Sequence, residues 1–220
     1  PQYWKAVPTN LVDDLSLLEP SDKPSALDWK TTRDLIVSTV RMGYGHHRIA
    51  LGVASYGSKF ERESRLLDLL ASPRDEAYAI KRLDELYSKM SRISADLGGW
   101  VESMWGNVTT QAGVDSARLA YQMATELSAL LDAIPRETPF ISAYPINGHL
   151  AVQLGFKKVV NLIFDNDPQH FLIVPGALNL VQTTSSYERL RLLGVPKDQV
   201  AVGGHWVARD LVDNAEHDNQ

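Results

Sequence analysis

Residues 34–40 (Asp-Leu-Ile-Val-Ser-Thr-Val) are dominated by β-branched and apolar types, with no polar alternation. A strand of that kind is buried on both faces and central in a parallel sheet. A second apolar run, Ser64–Leu70, predicts another strand, and shorter ones follow at 139–143, 158–164, 178–182 and 199–202. Helices are expected at about 47–58, 148–154 and 185–193. Residues 74–97 carry Ile80, Leu83, Leu86, Tyr87, Met90, Ile93 and Leu97 at helical spacing, and Gly98-Gly99 interrupts them. Asp115–Ile134 predicts a long amphipathic helix that Pro135 stops. Strands that alternate with helices imply βαβ units. The fold class is therefore α/β: a Rossmann-like three-layer domain over 34–212, with a mostly parallel sheet of about six strands. Residues 1–33, with Pro8, Pro20 and Pro24, read as an irregular arm, and 213–220 as a linker or cut end.

Composition narrows the function. The 220 residues are 44% hydrophobic and 22% charged, ordinary for one well-buried domain. A net charge of −5 argues against nucleic acid, which demands clustered Lys and Arg. The absence of cysteine removes disulfide and thiolate chemistry and agrees with a cytoplasmic setting. No apolar run approaches the roughly 20 residues that span a bilayer. A start at Pro1 rather than Met reads as a cut chain.

The richest chemistry follows the first parallel strand. Gly43 and Gly45 bracket a tight strand-to-helix turn, and His46, His47 and Arg48 come directly after it. Free backbone N–H groups at a helix start favour an anion or a polyol, and a histidine there titrates near neutral pH. In open α/β sheets ligands bind beyond the carboxyl ends of the strands. Polar residues after the later strands are thus candidates too: Tyr144, Asn147 and His149, then Asp165, Asp167 and His170, then Thr183, Thr184 and Ser185, then His205.

Several motifs fail or fit only in part. The dinucleotide fingerprint finds Gly43 and Gly45, but Arg48 fills its third glycine position; Asp68 lies where a ribose-binding acid would. There is no P-loop Gly-Lys-Ser/Thr, no Gly-x-Ser-x-Gly elbow and no metalloprotease histidine pair. Asp165-Asn166-Asp167 before Pro168 offers either a divalent-cation site or a capped turn. Trp100, Met104 and Trp105 make either a satellite core or a surface that dips into lipid.

Taken in order, these residues resemble the N-terminal domain of GT-B glycosyltransferases, in particular the monogalactosyldiacylglycerol synthase and peptidoglycan GlcNAc-transferase group. The likeness rests on Gly43-Tyr-Gly-His46 with Ala50 and Ala54, on Asp68, Tyr87 and Met104-Trp105, and on Asp165 with His170. It continues through Thr184-Ser-Ser-Tyr-Glu-Arg-Leu-Arg-Leu-Leu-Gly-Val195 and Gly204-His-Trp-Val207, where Trp206 replaces the family's proline. His47 stands where an arginine is frequent, with Arg48 displaced by one.

The resemblance implies an acceptor-binding domain of an enzyme that moves a sugar from a nucleotide-sugar donor to a hydroxyl acceptor, a lipid or a glycan. His46 would be the catalytic base. Gly43, Gly45, His47, Arg48, Tyr144, Asn147, His149, Asp165 and His170 would contact substrate. No metal and no cofactor would be required, most donor contacts would come from a further domain, and peripheral membrane contact would be compatible. A non-catalytic Rossmann-like binding module and a nucleotide-sugar epimerase-like domain remain the alternatives.

Overall fold

The computed structural model describes residues 1–24, 26–41, 45–71 and 128–217. The helices expected over 74–97 and most of 115–134 lie outside them, as do the Trp100–Trp105 segment, Tyr87, Gly43 and Tyr44.

The described residues form an α/β domain around one eight-stranded sheet. In chain order the strands are β1 (Tyr3–Pro8), β2 (Leu15–Ser21), β3 (Asp34–Thr39), β4 (Glu63–Asp68), β5 (Phe140–Ser142), β6 (Val159–Ile163), β7 (Leu178–Val181) and β8 (Val200–Val202). Their spatial order is β1-β2-β4-β3-β5-β6-β7-β8. Every pairing is parallel except β1 with β2. As expected, β3 is central, and Ile36, Val37, Ser38, Thr39 and Val40 are fully buried.

The count of about six strands is corrected to eight, because the arm over 1–33 is not irregular but contributes β1 and β2. Its prolines fit strands for a positional reason. Pro8 ends an edge strand, and Pro20 lies past Leu15–Leu17, the part of β2 that pairs with β4. Trp4 then pins β1 to the core, its indole N–H donating to the Leu130 carbonyl at 2.9 Å.

Four helices are described: α1 (Gly45–Ala54), α2 (Pro145–Gln153), α3 (Thr184–Leu192) and α4 (Arg209–His217). Ala50 and Ala54 of α1 pack on Val37, Leu66 and Leu162, on one face of the sheet. Val159 and Ile163 point to the other face of β6, where Leu150 of α2 and Leu190 of α3 cover the sheet. At Gly52 α1 lies against the 206–208 backbone, where a Cβ would touch the Trp206 carbonyl oxygen at 3.4 Å. The polar tail also differs from expectation: helix α4 runs to His217, with an Arg209–Asp213 ion pair at 3.0 Å across one turn. Among the described residues no helix is long and apolar enough to cross a membrane.

Candidate functional site at the switch point

Chain connections run from β3 outward to β4 in one direction and, after β4, to β5 on the opposite side of β3. The sheet therefore has its switch point between β3 and β5, and the crevice beyond their carboxyl ends is where such folds bind ligands. Two helices start there, α1 after β3 and α2 after β5.

His46 bridges the two. It lies in the first turn of α1, and its Nδ1 is 2.7 Å from the carbonyl oxygen of Ala143, the residue after β5. A carbonyl only accepts, so Nδ1 carries the proton and the neutral ring keeps its lone pair on Nε2. Edge-on packing holds the ring in place, with centroids 5.0 Å from Tyr144 and 4.6 Å from Phe164. Burial lowers the His46 pKa below the usual 6.5, opposed by the Ala143 hydrogen bond and the negative charge of Asp165. Asp165, on the rim beyond β6, has its pKa raised by partial burial and lowered by His46. The ring is thus biased towards its neutral form, with the Asp165 carboxyl as the charge that opposes that bias.

His47 is the second histidine of the crevice. Burial lowers its pKa, as does Arg41, while Asp68 raises it. Asp68 is itself engaged: the Arg41 backbone N–H donates to it at 3.3 Å, and the Arg41 guanidinium pairs with it at 3.4 Å. The acid that a dinucleotide ribose would need is thus held by Arg41. Arg48 is exposed one residue further along α1. A Cβ on Gly45 would meet nothing within 4 Å, so protein packing does not demand glycine there.

Asn147 and Tyr144 join the crevice from the start of α2. The fully buried Asn147 donates through Nδ2 to Ser38 Oγ at 2.6 Å, tying α2 to the end of β3. Seven buried side-chain atoms among the described residues lack a hydrogen-bond partner, and three of them, Thr39 Oγ1, His47 Nδ1 and Asn147 Oδ1, lie at this switch point. Buried polar atoms are normally satisfied, so such a cluster marks where a ligand or solvent completes the bonding.

The remaining candidates fall elsewhere. His149 is 4% exposed within α2, bonded to the backbone of Ile173, and burial lowers its pKa to about 4; it belongs to the core. His170 sits in a short 3-10 turn after β6, and His205 is exposed. Asp167 pairs with Arg189 at 3.3 Å, and Ser186 Oγ donates to the Asn166 carbonyl at 3.1 Å, so the bend at Asn166–Asp167 is tied to α3. No group of three or more His, Asp or Glu side chains among the described residues is placed to hold a metal ion. Sequence reasoning missed the Ala143 carbonyl, Phe164, Ser38 and Thr39. Phe164, directly before Asp165 at a strand end, was within its reach; a backbone carbonyl carries no sequence signal.

Fold and site together define a Rossmann-like α/β domain whose polar residues gather at the sheet's switch point. By sequence the chain belongs to the family described as Domain of unknown function (DUF6937), which matches residues 7–192. No curated protein and no solved structure matches it.

Proposed function

We propose that this chain is the acceptor-side domain of a GT-B glycosyltransferase, with His46 as the base. The observation that carries the reading is the 2.7 Å contact of His46 Nδ1 with the Ala143 carbonyl, which leaves Nε2 as the acceptor on a neutral ring at the switch point. In the reaction the acceptor hydroxyl attacks the anomeric carbon of the donor sugar. Its oxygen forms the new glycosidic bond, its proton passes to Nε2 of His46, and the bond to the nucleoside diphosphate breaks as that group leaves. Asp165 favours the imidazolium so formed, and Tyr144 and Phe164 hold the ring.

His46→Ala, in the protein together with its donor-binding domain, should lower transfer by about 10²-fold or more with the fold intact. His47→Ala should cost less. Because burial lowers the His46 pKa, the acid limb of the kcat/KM profile should lie below pH 6.5, with activity falling as the pH drops through it. Calorimetry of residues 1–220 with a panel of nucleotide sugars completes the test. Weak or absent binding is expected, and low-micromolar binding would replace this reading with a single-domain nucleotide binder.

A further inference from the structure

At the opposite end of the parallel strands lies a cleft of about 380 Å³, walled by the β1–β2 turn and by the loop between α1 and β4. That volume is within the roughly 300–1,000 Å³ range of small-molecule sites. Its charged lining balances, with Arg33, Arg62 and Arg65 against Asp14, Glu61 and Glu63. Arg65 forms a rigid floor, bonded to Asp34, Glu63 and Ser16. The rim is less committed. Among the described residues the carboxylates of Asp14 and Glu61 have no partner, and the Arg62 side chain makes one bond, to the Thr32 carbonyl at 2.5 Å.

Backbone geometry singles out the same two loops. The described non-glycine residues with left-handed backbone are Asp14 (φ 55°) and Glu61 (φ 56°), and both line the cleft. Such conformations persist where the surroundings hold them and gather at functional sites. Each loop is well tied: the Ser64 N–H donates to the Asp14 carbonyl, and the Arg62 N–H to that of Gly57. Each loop also exposes one large apolar side chain, Leu11 at 62% and Phe60 at 69%.

We propose that this cleft is a second ligand site, for a neutral polyhydroxylated ligand of sugar-ring size. A hydroxyl both donates and accepts, so one ring can satisfy the carboxylates and the guanidinium group together. An anion would face Asp14 and Glu61, and a cation would face the arginines. This site stands apart from His46 and holds whether or not the carboxyl end transfers sugars.

Amide-resolved NMR titration of the protein with methyl α-glucoside and methyl α-galactoside, and separately with inorganic phosphate and with glycine, tests it. At least one glycoside should shift the amides of 9–15 and 58–63 saturably, with millimolar Kd, and leave His46 unmoved. Asp14→Gly and Glu61→Gly keep the left-handed backbone while removing a carboxylate. Each should weaken glycoside binding by about tenfold with Tm unchanged or raised. The proposal is overturned if neither glycoside shifts these amides at about 50 mM, if both glycine variants bind as the parent does, or if phosphate or glycine is the only probe that shifts them.

Discussion

The two ends of the parallel strands differ in how they treat buried polarity around β3, even though Thr138 Oγ1, just before β5 at the amino end, also lacks a partner among the described residues. At the amino end Asp34 is fully buried, and both carboxylate oxygens are bonded, one by the Lys30 N–H at 2.6 Å and the other by Arg65 Nε at 2.9 Å. Arg65 directs its remaining nitrogens to Ser16 Oγ at 3.0 Å and to Glu63 at 2.5 Å. At the carboxyl end Thr39, His47 and Asn147 each hold a buried atom without a partner among the described residues. A buried charge is tolerated only when it is paired, so the amino-end network is a structural clasp joining β2, β3 and β4. Unsatisfied buried groups cost stability, and three of them meet at this end of β3. The paired network at the amino end and the unpartnered trio at the carboxyl end thus lie a strand's length apart.

The largest expected effect tests the clasp. Arg65→Ala leaves the Asp34 carboxylate buried and unpaired, and should destabilise the domain by about 3–5 kcal/mol in urea unfolding. A loss below about 1 kcal/mol would put the network on the same footing as exposed ion pairs, and the contrast between the two ends would fail.

A middle-sized effect comes from His149, which is buried in α2 away from the switch point. Its pKa of about 4 in the fold lies below the usual 6.5. Between those values the unfolded chain holds a proton that the native one lacks, so stability falls as the pH drops from about 6.5 to 4. The whole contribution is about 3 kcal/mol, and above pH 7 it is constant. His149→Gln should remove that part of the pH dependence. An unchanged slope would show that His149 is solvated, and would return it to the functional candidates.

The smallest effect has the opposite sign. Thr39→Val keeps the shape and removes an unpartnered hydroxyl at the carboxyl end. It should leave stability unchanged or raise it by up to about 1 kcal/mol, read as a higher urea midpoint. A clear loss would mean that Thr39 Oγ1 has a protein partner, and the unpartnered cluster at the carboxyl end would shrink to His47 Nδ1 and Asn147 Oδ1.

Much of the layout was legible along the chain. The strand at 34–40 announced its central place because both of its faces are buried, and the later strands were found to within a residue or two. His46 stood out through its position after a strand, in a turn with two glycines. The same rule named Tyr144 and Asn147, which lie at the start of α2 beside the end of β3. That rule failed for His149, since a residue two positions further along α2 turns away from the crevice and into the core. It failed for Asp167 as well, because its partner Arg189 lies on α3, 22 residues along the chain and close only in the fold. The arm over 1–33 was misread because proline weakens a strand only where its missing N–H would have been needed.

By itself the sequence determined the α/β class, the central strand and the histidine at its end, because these follow from local pattern: burial on both faces, glycine in a turn, polar residues after apolar ones. Only the tertiary structure decided which nitrogen of His46 is free, since a carbonyl 97 residues away holds the other. It likewise decided that Asp34 and Arg65, 31 residues apart, neutralise each other in the core, and that β1 and β2 complete the sheet. Each of these is a meeting of groups distant along the chain. Periodicity records which face of an element is buried, but not what another segment brings to that face.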